Sequence, residues 1–463
     1  MLNQAILNYK ESAIRKLCQY IEIPGISITG EGIDQAARFA ADVMKEAGIN
    51  VCIHQTGGNP IVTGEIGSDK SGFTLLIYGH YDVFPAEKDD SWHSEPFSAY
   101  IDGERIWGRG SGDNKGQHLA WIFAVKIYQR IHGEIPFKIK FLLEGEEETG
   151  SKSLAKFALE HKKILKPTLV CYSDGPMFPN DQVVLLLGVR GILCLEFSAA
   201  GSPKPLHSGN YGGVAENPVL KLCHLFSEMA SIDGGVLLPA IAVPEIAVSD
   251  QAALKRLPFD REGIERNIGT LNPDNADAYS YYFRLMCQPY INISAFNAGY
   301  SGDSIKTIIP NQATAKMDIR LVGGQDPDTI YEKITDFVKS SGMTGIKVKK
   351  LIGQPPSKTP IDHPLITPVK NAVRKGFGIE PLLVPSLGAT TPDYVFTKIL
   401  EAPSVVVPFA PYDENNHVAN ESTKISIFLN GIKTGCELIN ELAAYSRMDA
   451  NNYSRGEKYS AKL

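Results

Sequence analysis

Apolar runs of strand length alternate with helical patterns along the first part of the chain. Runs bounded by turn residues predict buried strands over residues 61–66, 73–79, 137–143 and 169–172. Apolar residues at helical spacing predict helices over residues 36–47, from residue 113 onward, and over residues 151–159. Because strands that alternate with helices pair through helical crossovers, we expect a mostly parallel sheet covered on both faces.

The pattern changes near residue 188. Strands are predicted over residues 191–200, 291–297, 313–321 and 345–350, and helices near 218–229 and 329–340, with a loop-rich stretch between. Two helices on one antiparallel sheet indicate a small α+β domain of the ferredoxin-like kind. From Asp362 the α/β pattern returns, and it ends in a long helix from about Glu421. We therefore expect an α/β domain of residues 1–187 and 356–463, interrupted by an inserted α+β domain of residues 188–355.

Composition narrows the class of protein. The 463 residues carry 46 basic and 52 acidic side chains, a net charge of −6, so we expect no nucleic-acid partner. No apolar run approaches the roughly 20 residues needed to span a bilayer, and the N-terminal helical pattern lacks the apolar core of a signal peptide. The seven cysteines are scattered and form no CxxC pair. These features predict a cytoplasmic protein with reduced thiols and no membrane partner.

Metal-ligating side chains follow several of the predicted strands. His80 and Asp82 end the strand of residues 73–79, and they share a face because strand side chains alternate. Asp113 in "GRGSGDNKG", an acid of "EGEEET" at residues 144–149, and Asp174 in "SDGP" come after later segments. His417 stands in "ENNHVANE". Since the carboxyl ends of parallel strands meet at one edge of a sheet, we expect these groups to converge.

Two imidazoles and three carboxylates suit a pair of divalent ions, with Zn²⁺ the best match. Asp113, Glu148 and Asp174 carry three negative charges, so two divalent ions and one bridging hydroxide bring the sum to zero. Without metal, the three carboxylates would raise one another's pKa values. A carboxylate commonly orients a metal-bound imidazole, and Asp82 is placed to do so for His80.

Each of these residues also has an ordinary interpretation. A lone histidine at a strand end is usually an ordinary polar residue, and Asp113, if it stood alone, would be as readily explained as a helix N-cap. The acidic run is more often a solvated loop, and Asp174 before Gly-Pro is typical of a turn. The joint pattern favours the metal site, because ligand-type residues recur at successive strand ends.

These motifs resemble a di-zinc exopeptidase family. It includes carnosinase-type dipeptidases, glutamate carboxypeptidase, aminoacylase, acetylornithine deacetylase and succinyl-diaminopimelate desuccinylase. The resemblance covers nearly the whole chain and is carried by "GHYDV", "GRGSGDNKG", "EGEEETGS", "SDGP", "GVRG", "LHSGNYGG", "TIIPNQATAKMDIRLV" and "ENNHVANE". It implies an α/β catalytic domain with an inserted lid and dimerisation domain, and two Zn²⁺ per chain that Mn²⁺ or Co²⁺ could replace.

The resemblance also implies a role for each metal ligand. His80 and Asp174 bind one ion, Glu148 and His417 bind the other, and Asp113 bridges the two.

Further roles concern the residues beside these ligands. The resemblance implies that the peptide bond from Asp113 to Asn114 is cis. Asp82, which is expected to orient His80, is counted with the catalytic residues. It makes Glu147 the general base that activates a metal-bound hydroxide. Glu146 falls outside the motif and is expected to support the site or to be exposed.

The inserted domain and one later loop supply the expected substrate contacts. The resemblance implies that His207 reaches the active site of a partner subunit in a homodimer and stabilises the oxyanion there. It also implies that Arg320 grips the substrate carboxylate, for which a guanidinium fork is suited. Asn297, Gly388 and Thr390 are further expected contacts. The segment "RLVGG" departs from the family pattern in a way that affects the strand exit more than the chemistry. The segment "LGATTPD" also departs from it, in a loop that helps to choose the substrate, which leaves the exact substrate open.

Three functions follow from these motifs. The first is a metallopeptidase that cleaves dipeptides or short peptides, of the dipeptidase or carboxypeptidase type. The alternative is deacylation of N-acyl amino acids by the same mechanism. A third function, binding without catalysis, predicts missing ligands or a missing base, and every one of them is present here.

Overall fold

The computed structural model describes residues 1–86, 91–239, 241–275 and 277–454. In these ranges, the helices are α1 (Leu2–Ile21), α2 (Ile33–Glu46), α3 (Lys115–His132), α4 (Leu154–Glu160), α5 (Lys162–Leu165), α6 (Ser208–Tyr211), α7 (Pro218–Met229), α8 (Val248–Leu254), α9 (Arg261–Ile268), α10 (Ala278–Cys287), α11 (Pro327–Ser340), α12 (Ile366–Phe377) and α13 (Ile425–Ser454). Short 3₁₀ turns cover Glu147–Thr149, Pro179–Asp181 and Pro273–Asn275, and a π-helical turn covers Val395–Ile399.

The strands of the same ranges are β1 (Asn50–His54), β2 (Ile61–Ile66), β3 (Thr74–His80), β4 (Tyr100–Asp102), β5 (Arg105–Trp107), β6 (Lys138–Glu144), β7 (Leu169–Tyr172), β8 (Val184–Leu186), β9 (Gly188–Val189), β10 (Gly191–Ala200), β11 (Leu206–His207), β12 (Tyr290–Ala298), β13 (Ile308–Ile309), β14 (Gln312–Leu321), β15 (Ile346–Gln354), β16 (Ser357–Lys358), β17 (Leu382–Val384), β18 (Ser404–Val406) and β19 (Ser422–Lys424). The chain, with its helices and strands, forms two compact units. The first comprises Met1–Leu187, Thr359–Pro385 and Val395–Leu463, and the second comprises Gly188–Lys358 and Ser386–Tyr394.

The first unit contains a mixed sheet with the order β1-β2-β6-β3-β7-β18-β8-β17. Its centre is parallel, because β3 pairs in parallel with β6 and β7, and β18 pairs in parallel with β7. Strand β3 (TLLIYGH) is buried from Leu75 to His80, as expected for a central strand covered on both faces. This confirms the predicted α/β class with a mostly parallel central sheet.

Helix α3 is the main buried helix of the first unit. It packs against α1 and α13, and its side chains from Leu119 to Val125 are buried. Trp121 and Phe123 belong to the same hydrophobic core as the strand residues Leu75 and Ile77. This core holds the start of α3, and therefore Asp113 just before it, on a rigid support.

The second unit contains an antiparallel sheet with the order β12-β14-β10-β15. Burial alternates along β10, so that Leu193, Leu195 and Phe197 point into one core. Residues of α7 and α11, such as Phe226 and Ile334, belong to this core too. The predicted strands and the two predicted helices of this stretch are confirmed.

Two predictions of local structure are wrong. The stretch expected to be loop-rich contains helices α8, α9 and α10, which have only 7, 8 and 10 residues. Such short helices show little apolar periodicity, and polar N-caps support two of them, since Asp260 accepts the Gly263 N–H and Asp277 accepts the Ser280 N–H. The last helix begins at Ile425 rather than near Glu421, because residues 422–424 pair with β5.

Candidate active site

His80 is the last residue of β3, and its side chain is 1% exposed. Its Nδ1 lies 3.0 Å from the backbone oxygen of Asp82 and 3.4 Å from the Asp82 carboxylate. An N–H at Nδ1 can donate there, which leaves a lone pair on Nε2. Nε2 lies 3.1 Å from Oδ1 of Asp113, but the geometry is not that of a hydrogen bond. Among the described residues, Nε2 has no hydrogen-bond partner. An orphaned, buried ring nitrogen of this kind is what a metal ligand requires.

Asp113 lies between two histidines. Its Oδ1 faces Nε2 of His80 at 3.1 Å, and its Oδ2 faces Nε2 of His417 at 3.2 Å. His417 Nε2 is also 3.0 Å from Oε2 of Glu148, whereas Asp174 Oδ1 is 4.0 Å from His80 Nε2. The ligand atoms of His80, Asp113 and Glu148 all lie within 4.8 Å of one another. A carboxylate with one oxygen toward each imidazole fits the bridging position between two cations.

The electrostatics of the cluster favour added cations. Burial and the charge of Asp113 raise the pKa of Glu148 to about 7 and the pKa of Asp174 to about 6. Contacts with Asp113 and Glu148 raise the pKa of His417 to about 10. Burial favours neutral Asp113, but the imidazoles of His417 and His80 outweigh this effect and hold its pKa below the ordinary value. Divalent cations bound among these groups would therefore stabilise the ionised carboxylates in place of protons.

The Asp82 carboxylate supports two parts of the site. Besides its contact with His80, it accepts the backbone N–H of Glu147 at 3.3 Å and that of Glu148 at 3.1 Å. The side chain is fully buried. Asp82 therefore holds the turn that presents the two glutamates, a role that strand periodicity could not reveal. The peptide bond between Asp113 and Asn114 is cis, as the resemblance implies.

The other acids of "EGEEET" are structural. Glu146 is buried and accepts the backbone N–H groups of Asn59 at 3.0 Å and Ser153 at 2.8 Å, so it supports the loop and is not exposed. Burial raises the pKa of Glu144 to about 8, although Tyr78 donates a hydrogen bond to its carboxyl at 2.7 Å.

Glu421 is a buried acid to which the sequence pattern assigned no role. Its Oε1 accepts the backbone N–H groups of Gly110, Gly112 and Asp113 at 3.0, 3.0 and 2.9 Å. Its Oε2 accepts a hydrogen bond from Nη1 of Arg109 at 2.9 Å, and both side chains are almost inaccessible to solvent. Glu421 thereby shapes the loop that delivers Asp113. The only signal in the sequence is an acid four residues after His417.

We expect Glu421→Gln to lower the free energy of unfolding by about 3–5 kcal/mol, because it leaves the Arg109 charge buried without its partner. Urea unfolding measures this change. Asp413→Asn is the matched control, since Asp413 pairs with Arg105 but its side chain is 59% exposed, and it should cost less than about 1 kcal/mol. Equal losses in the two variants would contradict the role of Glu421.

Lys115 connects the same loop to the N-terminal helix. Its buried ammonium donates to the backbone oxygens of Tyr20 at 3.1 Å, Ile23 at 2.5 Å and Pro24 at 3.2 Å. Burial lowers the pKa of Lys115 to about 7. These bonds satisfy carbonyl groups at and beyond the end of α1 and fasten them to the start of α3.

The other predicted residues lie in the second unit. Arg320 Nη1 donates to Oγ1 of Thr390 at 2.8 Å, and the backbone oxygen of Gly388 accepts a hydrogen bond from Arg190 Nε at 2.7 Å. His207 is exposed, and its Nδ1 accepts the Gly209 N–H at 3.0 Å. Asn297 is exposed on β12. The structure therefore brings Arg320 and Thr390 together, whereas His207 and Asn297 face solvent in this unit.

Carboxylates and imidazoles gathered around the buried Asp113 are typical of one class of protein, the metal-dependent hydrolases. The chain matches the model of peptidase family M20/M25/M40 over residues 76–441, and it belongs to this family. It is thus a metallopeptidase acting on peptide bonds, and the predicted family resemblance is confirmed. Within the described ranges, no helix is long and apolar enough to cross a membrane.

Similar proteins span almost the full chain. The Cys-Gly metallodipeptidase dug1 of Schizosaccharomyces pombe is 27% identical, over 96% of this chain and 98% of its own. The crystal structure of the M20 family metallo-carboxypeptidase Sso-CP2 from Sulfolobus solfataricus has a TM-score of 0.86 and 30% identity, covering 93% of this chain and 99% of that one. The crystal structure of human carnosine dipeptidase 1 has a TM-score of 0.78 and 25% identity, and the match covers 96% of this chain and 98% of that one.

Proposed function

We propose that this protein is a dipeptidase that cleaves the amide bond of dipeptides or short peptides. The observation that carries the proposal is the arrangement of Asp113 between His80 and His417, with Glu147 in the adjoining turn. The names of the Schizosaccharomyces pombe and human relatives support a dipeptide substrate.

We further propose that each chain binds two Zn²⁺, for which Mn²⁺ or Co²⁺ can substitute. His80 and Asp174 would hold one ion, Glu148 and His417 would hold the other, and Asp113 would contribute to both. The nitrogen and oxygen donors are of the type that zinc accepts, and the orphaned Nε2 of His80 is available to one ion. Asp82 holds His80 and the turn of Glu147 in place.

When bound, the two ions supply an acidified water and polarise the scissile carbonyl. The carboxylate of Glu147 takes a proton from the attacking water and delivers it to the leaving amine. Asp82 keeps this carboxylate in position through the Glu147 backbone N–H. His207 donates a hydrogen bond to the oxygen on which negative charge develops.

Substrate recognition is assigned to the second unit. Arg320 binds the free carboxylate of the substrate and is itself held by Thr390, while Asn297 and Gly388 line the substrate. We propose that residues 188–355 are an inserted lid and dimerisation domain within a catalytic domain of residues 1–187 and 356–463. The compact unit that includes Gly188–Lys358 supports this division. The protein would act as a cytoplasmic homodimer.

The function is tested by measuring bound metal and hydrolysis on the same preparation. Dipeptides and N-acetyl amino acids are assayed in parallel with added Zn²⁺, Mn²⁺ and Co²⁺. We expect two ions per chain and cleavage of dipeptides. Two ions with deacylation alone would make the protein an N-acyl amino acid deacylase. No bound metal and no hydrolysis under any addition would refute the assigned site.

The role of His207 gives a separate prediction. We expect His207→Ala to keep its metal and to lower kcat by about 100-fold or more, since it removes one oxyanion donor. If His207 acts in the partner's active site, mixing His207→Ala with Glu147→Gln restores part of the activity, because each heterodimer has one intact site. Subunit exchange is verified by mass spectrometry under native conditions. Exchange without recovered activity would place His207 in its own subunit's site.

A further inference from the structure

The two candidate metal-binding histidines are held in different ways. His80 ends a central strand, is 1% exposed and contacts Asp82 through Nδ1. His417 lies in a loop where the backbone has positive φ at Asn415, His417 and Asn420, and its side chain is 45% exposed. An exposed imidazole on such a loop needs another constraint to keep Nε2 directed at its metal.

Phe84 supplies a constraint of this kind. Its ring stacks on the imidazole of His417, with the ring centroids 4.6 Å apart and the planes inclined by only 8°. The main chain on both sides of Phe84 is fastened, since the Val83 N–H donates to Gly25 O at 3.0 Å and Arg109 Nη2 donates to Pro85 O at 3.4 Å. The phenyl ring therefore extends from an anchored segment.

We propose that Phe84 is a positioning residue that sets the affinity for the metal ion held by Glu148 and His417. The stack restricts rotation of the imidazole, so that Nε2 stays near Asp113 Oδ2 and Glu148 Oε2 before metal arrives. A metal-bound imidazole is also electron-poor, and the face of a phenyl ring attracts such a group. The inference rests on the proposed role of His417 as a ligand.

The expected effect is confined to one of the two ions. Phe84→Leu keeps an apolar side chain of similar size but removes the aromatic face, and it should weaken binding of one ion by about 3- to 10-fold. Binding of the ion held by His80 and Asp174 should change by less than about twofold, because the ring of Phe84 stacks on His417 and can affect the other ion only indirectly, through Asp113. Phe84→Tyr retains the ring and should bind both ions as the unchanged protein does.

The test is competition between the full-length, metal-depleted protein and a chelator of known affinity, titrated with Zn²⁺. The variants are Phe84→Leu, Phe84→Tyr and the control Phe377→Leu, which alters a partly buried phenylalanine on α12, outside the candidate site. Co²⁺ absorption gives a second readout, because the bands of the ion at His417 report its ligand geometry. We expect altered bands in Phe84→Leu alone.

The outcomes separate this inference from the proposed function. If the protein without substitutions does not bind two ions, both the proposed function and the role of Phe84 are refuted. Two binding events in the unchanged protein, with equal affinities in Phe84→Leu, would overturn the role of Phe84 alone. Equal weakening in Phe84→Leu and Phe84→Tyr would also overturn it, since the tyrosine keeps the stack. If Phe84→Leu does not fold, Phe84→Met is compared with Phe84→Tyr by the same criteria.

Discussion

Replacing Glu147 by glutamine is expected to lower kcat by about 100- to 10,000-fold, which is the contribution of a positioned general base. Burial raises the pKa of Glu147 well above its ordinary value; His80 opposes this shift, and Asp174 reinforces it. A carboxyl group in these surroundings can exchange a proton within each turnover, and an amide cannot. Glutamine has nearly the same shape, and the backbone N–H that donates to Asp82 is unaffected.

The measurement is kcat for a dipeptide, together with bound metal and thermal unfolding. Metal content should be the same as in the unchanged protein, because Glu147 is not an assigned ligand. Glu146→Gln is the neighbouring control: its side chain accepts N–H groups from Asn59 and Ser153, so stability should fall while kcat stays within a few-fold. A near-normal kcat in Glu147→Gln would refute its role as the base.

Replacing Asp113 by alanine is expected to remove both metal ions. The two oxygens of this carboxylate face different histidines, at 3.1 and 3.2 Å, so each proposed ion loses a ligand when the side chain is shortened. The remaining donors cannot easily compensate, since Glu148 and Asp174 are held by separate loops. Activity should fall by more than about 1,000-fold, because the site would lose the ions that would acidify the attacking water.

Metal analysis after gel filtration distinguishes a bridging ligand from an ordinary one. Asp174→Ala is the matched comparison, because this carboxylate is assigned to one ion and should cost only that ion. A graded result, with one ion lost from Asp174→Ala and both from Asp113→Ala, supports bridging. Retention of two ions by Asp113→Ala would contradict it.

Much of this protein could be predicted from local sequence. Strand β3 and helix α7 were predicted because their apolar residues repeat at strand and helix spacing, which depends only on neighbours along the chain. The convergence of His80, Glu148 and Asp174 followed from the rule that parallel strands end at one edge, because β3 pairs in parallel with β6 and β7. Asp113 instead follows β5, a strand of a separate antiparallel sheet, so this rule did not place it. The family followed from motifs whose residues lie within a few positions of one another, and the family model confirms it.

The tertiary structure decided which distant groups support the site. Glu421 holds the backbone of Gly110 and Asp113, about 310 positions away, and Phe84 stacks on His417 across a similar separation. Local periodicity carries no information about such pairs, because their contact depends on how the whole chain folds. Sequence reasoning could therefore name the residue types that a metal centre needs, but only packing in three dimensions selected the side chains that align them.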